Sequence, residues 1–173
     1  MPADDPSRAW RNRAAVGLVA AVAVALDAIT KQWAVSTLTQ GVSREVVGGV
    51  VRFDLSFNPG MAFSVLRSGG VVLGLVAFAT IIGILWYAGR VSSPLILAGL
   101  GMICGGAAGN LVDRIFRAPG FLEGYVVDFV RLPNWPTFNV ADSFLTAGVV
   151  CVFVGIFLRD HRENSRHAGN TDA

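Results

Sequence analysis

The 173 residues of this chain are 53% hydrophobic and only 15% charged, with a mean hydropathy of +0.57. Soluble domains usually carry more charge, and long apolar stretches are typical of proteins with membrane spans. The formal net charge is only +2 and the basic residues form no stripe, so nothing indicates a nucleic-acid-binding protein.

The first apolar segment has the outline of a secretory signal peptide, because three arginines precede the run at residues 14–26. A cleavage site at residues 34–36 would, however, leave Asp27 and Lys31 between the apolar run and the cut. Three further hydrophobic segments also follow. We therefore predict a retained membrane span over residues 14–35.

Four segments are long and apolar enough to cross a bilayer, which takes about 20 mostly apolar residues. The predicted spans are residues 14–35, 71–87, 95–112 and 140–158. Ser93 followed by Pro94 is a typical start for the third helix. Trp86 and Tyr87 end the second, where an interfacial aromatic belt is expected. The spacing of Gly101, Gly105 and Gly109 indicates close helix packing.

Two long connections separate these spans, and both contain strand-like runs. In the first, residues 37–70, hydrophobic and polar residues alternate from Val51 to Asn58, which predicts a half-buried strand. Residues 44–47 and a glycine pair precede it, so a hairpin is expected. The second connection, residues 113–139, contains another short run at 126–130. We predict one membrane-embedded domain over residues 1–173, with a small sheet on one membrane surface.

Orientation is not decided by counting charges, because each side of the membrane would hold seven basic residues. The first span usually dominates, and three arginines precede it. We therefore expect both termini, including a tail at 159–173, to be cytoplasmic. Both long loops would then be extracytoplasmic.

This topology collects the polar intramembrane residues at the outer ends of the spans. They are Asp27, Lys31, Asn110, Asp113, Arg114, Asn139 and Asp142. An ionisable group near the bilayer centre costs about 2.5–3.5 kcal/mol, so each is a candidate functional residue. Structural roles are alternatives: Asp142 could cap the fourth helix, while Asp113–Arg114 and Asp27–Lys31 could be ion pairs.

Several protease chemistries are disfavoured by the residues present. The sequence has no HExxH motif, and His161 and His167 both lie in the polar tail, which excludes a zinc site or a serine–histidine triad. Cys104 and Cys151 have no CxxC partner, so metal and disulfide roles are weak. A serine–lysine dyad would pair Lys31 with one of three serines, Ser36, Ser64 or Ser143. That chemistry needs a neutral lysine, whereas Asp27 one turn away favours the charged form.

Paired carboxylates remain as the favoured catalytic groups. An aspartic dyad needs two acids that share one proton, one acting as base on water and the other as acid. Asp128 and Asp142 are fourteen residues apart, with Pro133 and Pro136 between them. Asp113 is a rival partner for Asp142 on spacing alone.

The sequence resembles the bacterial lipoprotein signal peptidases (signal peptidase II) in five short blocks that occur in family order. The blocks are DAITK at 27–31, NPGMAFS at 58–64, GGAAGNLVDR at 105–114, VDF at 127–129 and FNVADS at 138–143. They run from the first span into the fourth, and each is short but the set is specific. Ala28 departs from the glutamine often found at that position, and neither the first dozen residues nor the tail matches anything distinctive.

The resemblance implies an aspartic endopeptidase that removes the signal peptide from diacylglyceryl-modified prolipoproteins, cutting before the lipidated cysteine. It implies a four-transmembrane-helix bundle with a small extracytoplasmic β-cradle in the bacterial inner membrane. Asp128 and Asp142 match the catalytic pair. Residues matching the family's substrate-binding or supporting positions are Asp27, Lys31, Asn58, Gly60, Asn110, Asp113, Arg114 and Asn139. The expected partners are lipidated prolipoproteins and membrane lipid, and the expected state is a monomer without metal or other cofactor.

Two further expectations concern the proton and the function class. The N-terminus of the fourth helix favours a charged Asp142, so we expect Asp128 to carry the shared proton more often. A small transporter that uses the same acids as ion sites is one alternative function. An assembly subunit that holds substrate without cutting it is another.

Overall fold

The computed structural model describes residues 6–60 and 69–171, with side chains as far as Arg162. Residues 61–64 of the second motif block, including the possible nucleophile Ser64, lie outside the described residues, as does the side chain of His167. The helices are α1 (Pro6–Thr37), α2 (Gly69–Ala88), α3 (Pro94–Phe116) and α4 (Val140–Thr171). The strands are β1 (Arg44–Val47), β2 (Val51–Asn58) and β3 (Val126–Arg131).

All four helices are long and apolar enough to cross a membrane, which confirms the predicted fold class. Each extends beyond its predicted span, and α4 continues to Thr171 through the segment that we expected to be a separate tail. The predicted start of α3 is confirmed, because the Ser93 hydroxyl accepts a hydrogen bond from the backbone N–H of Ile96 and Pro94 opens the helix.

Helix α3 lies at the centre of the bundle and packs against the other three helices. Its glycines allow this close approach, as their spacing predicted. A Cβ atom at position 105 would lie 2.6 Å from the Cβ of Ala23 on α1. One at position 109 would lie 2.6 Å from the carboxylate of Asp27. Contacts this short are possible only for glycine, so α1 and α3 are held at backbone distance where the polar residues lie.

The three strands form an antiparallel sheet in the order β1-β2-β3, and all three were predicted from the sequence. Ser56 lies opposite Asp128, with a register shift between Phe53 and Ser56. The sheet packs on the end of α1, where Trp33 meets Phe53 and Phe129 edge-on at ring distances of 5.0 and 6.0 Å. This aromatic contact fixes β3, and with it Asp128, against the helical bundle.

Candidate active site

Strand β3 places the carboxylate of Asp128 in a buried position, with only 2% of the residue exposed. The side-chain amide of Asn58 donates to its Oδ2 at 2.9 Å. The amide of Asn139 donates to its Oδ1 at 2.7 Å. Each oxygen therefore has a neutral donor fixed by a different element, which holds the carboxylate in one orientation.

Gly60 sets the orientation of Asn58. Its backbone N–H donates to Asn58 Oδ1 at 2.8 Å, so the amide nitrogen of Asn58 is turned toward Asp128. Gly60 has a φ of 93°, a conformation that favours glycine, and a Cβ there would lie 3.0 Å from a methyl carbon of Leu73. The family resemblance had indicated Gly60 as a supporting residue, and the structure shows how it contacts the site.

Asp142 lies in the first turn of α4 and closes a reciprocal cap with Asn139. The backbone N–H of Asn139 donates to Asp142 Oδ2 at 3.2 Å, and that of Asp142 donates to Asn139 Oδ1 at 2.9 Å. The capping role predicted for Asp142 is thus confirmed. Its other oxygen remains for a different contact, so capping does not occupy the whole carboxylate.

Asn110 on α3 makes that contact and links the two aspartates. Its Nδ2 donates to Asp142 Oδ1 at 2.8 Å. Its Oδ1 accepts from Asn139 Nδ2 at 3.1 Å and from Lys31 Nζ at 3.0 Å. The ammonium of Lys31 and the amide of Asn139 both donate to Oδ1, so this atom must be the oxygen. The nitrogen of Asn110 therefore faces Asp142. Asp128 and Asp142 are therefore joined through two adjacent asparagine amides.

A buried ion cluster supports this arrangement from the α1 side. Lys31 is 1% exposed and pairs with Asp27 at 2.7 Å and Asp113 at 3.0 Å. The second oxygen of Asp27 accepts from the backbone N–H of Ala141 at 2.9 Å, which ties α1 to the start of α4. The predicted Asp27–Lys31 pair is confirmed, and it forms one side of the site.

Asp113 has partners that explain its role. Its Oδ2 also accepts from the backbone N–H of Val127 at 3.1 Å, next to Asp128, while its Oδ1 accepts from Arg117 at 2.6 Å. Oδ2 therefore holds β3 on α3, while Oδ1 pairs with the residue that caps the C-terminus of α3. On spacing alone Asp113 was a rival to Asp128. Arg117 was not predicted as a functional residue, although it lies four residues after Asp113, a spacing at which helical side chains pair.

Arg114 contributes a buried positive charge close to the two aspartates. The residue is 8% exposed, and its guanidinium donates to the backbone carbonyl of Asn110 at 3.1 Å. It interacts electrostatically with both Asp128 and Asp142. The ion pair between Asp113 and Arg114 that the sequence allowed is not formed, because the salt bridges of Asp113 are with Lys31 and Arg117.

The environment of Asp128 favours a protonated carboxyl at mildly acidic pH. Burial raises the pKa of Asp128 to about 6. The hydrogen bonds from Asn58 and Asn139 oppose this rise, whereas the nearby charge of Asp142 adds to it. A pair in which Asp128 holds a proton while Asp142 is charged is the arrangement that acid–base chemistry requires.

The described residues provide no serine–lysine pair. The amine of Lys31 contacts Asp27, Asp113 and Asn110. The hydroxyls of Ser36 and Ser143 donate instead to nearby backbone carbonyls. Within the same described part of the chain, no group of three or more His, Cys, Asp or Glu side chains could hold a metal ion.

Comparison with known proteins gives a consistent result. A family model described as signal peptidase (SPase) II matches residues 19–158. The lipoprotein signal peptidase of Mycolicibacterium smegmatis is 42% identical over 172 residues, 99% of this chain and 73% of that relative. That of Mycobacterium avium is 45% identical over 153 residues, 88% and 82% of the two chains. A solved bacterial membrane enzyme, 26% identical, superposes with a TM-score of 0.72 over 83% of this chain and 87% of its own.

Proposed function

Because the chain belongs to the signal peptidase II family and is therefore a membrane protease that removes signal peptides from prolipoproteins, we propose that it is an aspartic endopeptidase with Asp128 and Asp142 as its catalytic pair. Family membership disfavours both a transporter and a subunit that only holds substrate. The observation that carries the catalytic assignment is the continuous hydrogen-bonded connection between the two carboxylates through Asn139 and Asn110.

The chemistry follows from one charged and one protonated carboxyl. Asp142 takes a proton from a water molecule whose oxygen attacks the scissile carbonyl carbon, while Asp128 gives its proton to the carbonyl oxygen. The tetrahedral intermediate collapses when Asp142 returns its proton to the departing amide nitrogen and a hydroxyl proton of the intermediate passes to Asp128. The pair ends in its starting protonation state, and no cofactor is needed.

The supporting residues have separable roles in this scheme. Asn58, Asn110 and Asn139 orient the carboxylates, with Gly60 orienting Asn58. Arg114 offsets the negative charge of the pair. The Lys31 cluster, with Asp27 and Asp113, fixes α1, α3, α4 and β3 relative to one another.

The substrate and the membrane supply the remaining elements of the proposal. We place both termini in the cytoplasm and the aspartate pair at the extracytoplasmic face, since the arginines before the first span favour that orientation. The substrate is a diacylglyceryl-modified prolipoprotein, cut before its lipidated cysteine. Its apolar signal helix enters laterally between spans. The protein acts as a single-domain monomer, with exposed apolar side chains such as Phe78 and Phe153 facing membrane lipid.

The decisive experiment is cleavage of a lipidated prolipoprotein by the purified protein in bilayer or detergent, comparing the wild type with Asp128→Asn and Asp142→Asn. Both variants are expected to lose cleavage by at least about 10⁴-fold while keeping the wild-type elution profile and helical content, because loss of one member of a catalytic unit removes its function. Cleavage at the wild-type rate by either variant would show that the pair is misassigned.

A further inference from the structure

A cavity of about 520 Å³ lies on the sheet, outside the aspartate pair. We call it the outer cavity. The turn between β1 and β2 forms one wall, and the segment after β3 forms the other. Its lining includes Gly49, Arg52, Arg131, Trp135 and Pro136. Trp135 is 65% exposed, so an aromatic surface is available at the edge of the cavity.

Position along the chain connects this cavity to the candidate active site. Arg131 follows Asp128 by three residues, so it lies roughly 10 Å away at about 3.3 Å per residue of strand. The segment beyond Arg131 then returns to the sheet, where Val130 and Phe138 exchange backbone hydrogen bonds of 2.8 and 2.9 Å. Asn139 and the α4 cap follow at once. The wall formed by the segment after β3 is thus part of the chain that connects Asp128 to Asp142.

The segment after β3 is restricted by prolines, and the charged residues that line the cavity are basic. Prolines at 133 and 136 restrict the backbone of the returning segment. Arg52 and Arg131 are cross-strand partners, and both line the cavity. Among the described lining residues none is acidic. The two guanidinium groups do pair with acids outside the lining, Arg131 with Asp54 at 2.9 Å and Arg52 with Glu45 at 3.8 Å.

We infer that the outer cavity holds the part of the prolipoprotein that follows the lipidated cysteine, and that it favours acidic side chains there. The inference rests on the function proposed above. The signal helix occupies the bilayer before the scissile bond, so the chain after the cysteine leaves on the side where the sheet lies. An extended chain advances about 3.3–3.6 Å per residue. The third and following residues after the cysteine therefore reach the cavity.

A lipid headgroup is the other occupant that tryptophan and arginine would suit. Two features favour the peptide. The site is concave between a strand turn and a proline-restricted segment, which matches an extended chain. Its lining residue Arg131 also lies on the same strand as Asp128, where the scissile bond would lie.

The test compares three lipidated substrates that share one signal peptide. One ends two residues after the cysteine; two extend eight residues, with aspartates or lysines at positions three to five. The wild type is expected to cleave the aspartate substrate with a kcat/KM about fivefold above that of the lysine substrate, the scale of partly exposed ion pairs. Arg52→Glu is expected to reverse that order. Trp135→Ala is expected to lower kcat/KM about fivefold for both extended substrates while sparing the short one.

Two control variants distinguish a role of the outer cavity from general effects of removing an exposed tryptophan or reversing a charge on the sheet. Trp86→Ala removes another exposed tryptophan, 62% exposed and at the end of α2, and Arg44→Glu reverses a charge on β1 outside the cavity lining. Neither is expected to alter the substrate order. Equal effects of Trp135→Ala on short and extended substrates would point to membrane anchoring and overturn the inference, as would an unchanged charge preference in Arg52→Glu. Continued cleavage of the short substrate by these variants shows that the aspartate pair works, so the two proposals fail separately.

Discussion

The side-chain amide of Asn139 donates to the side-chain carbonyl of Asn110 across 3.1 Å. The second N–H of Asn139 points at Asp128, and the nitrogen of Asn110 points at Asp142. Each amide thus forms one hydrogen bond with a carboxylate and one with the other amide. A change at either asparagine is therefore expected to affect the hydrogen bonds of both aspartates.

Asn139 has two roles that different substitutions can separate. Asn139→Ser keeps a residue that caps helices well, whereas Asn139→Ala does not; neither can donate to Asp128 as asparagine does. We expect both to lower kcat about 10–100-fold, the scale of a hydrogen bond to a charged group. Only the alanine variant should also lose about 1 kcal/mol of stability from the cap. Cleavage rates and thermal unfolding measured on the same preparations check this, and equal stability in the two variants would contradict the capping role.

The pH dependence of cleavage should report the proton on Asp128. Its pKa is raised to about 6, so the singly protonated pair is lost as pH rises through that value and both carboxyls become charged. We expect kcat/KM, which reports the free enzyme, to fall about tenfold per pH unit well above the pKa. The same raised pKa means that the folded state binds this proton more tightly than the unfolded chain, so the group's contribution to stability decreases between about pH 4 and 6. A profile flat from pH 5 to 8 would show that this proton is not required.

Asn58 should affect the pH at which kcat/KM falls, because it donates a hydrogen bond to Asp128. Its hydrogen bond stabilises the charged form of Asp128 and so holds the pKa of Asp128 below the value that burial alone would give. Asn58→Ala is expected to move the alkaline limb of kcat/KM to higher pH while lowering its maximum. Asn12→Ala, which removes a part-buried amide at the opposite end of α1, is the matched control and should leave the limb in place. A downward shift in Asn58→Ala would contradict the assigned hydrogen bond.

Much of this architecture was accessible from the sequence, for identifiable reasons. Alternation from Val51 to Asn58 predicted β2, and apolar length predicted the spans. The extension of α4 beyond residue 158 was not predicted because its residues are polar. No proline interrupts it, however, and the first glycine after the predicted span is Gly169. Polarity ended the predicted span, but it does not end the helix.

The site itself was only partly predictable. Topology alone gathered the polar side chains at one end, but spacing could not choose between Asp113 and Asp128 as the partner of Asp142. In the structure Asp113 forms ion pairs with Lys31 and Arg117. Asp128 instead accepts from neutral amides and connects to Asp142 through Asn139 and Asn110, which favours Asp128 as the partner. Periodicity carries no information about such three-dimensional contacts between distant segments.

The buried charge of Lys31 should matter more for folding than for chemistry. Lys31→Met leaves Asp27 and Asp113 without their shared cation, and removal of one member of a buried ion pair typically costs about 3–5 kcal/mol. Asp27→Asn in the same chain removes one of the stranded charges while keeping an oxygen for the backbone N–H of Ala141. We expect the double variant to recover part of the stability lost in Lys31→Met, as measured by thermal unfolding in detergent. A double variant less stable than Lys31→Met would show that the Asp27 charge is stabilised independently of Lys31.

Gly109 gives the sharpest test of how packing supports the aspartate pair. A Cβ at this position would lie 2.6 Å from Asp27 Oδ2, so alanine must displace the carboxylate that holds both Lys31 and the start of α4. We expect Gly109→Ala to lower the cleavage rate. We also expect it to lower the free energy of unfolding by about 1–3 kcal/mol, the usual cost of an overpacked contact. Gly83→Ala on α2 is the matched control, because nothing lies within 4 Å of its added Cβ and alanine favours helix. If both variants retain wild-type activity and stability, the position of Asp27 does not control the site. If Gly109→Ala alone is impaired, and it costs less stability in an Asp27→Ala background than in the wild type, the clash with the carboxylate is the cause.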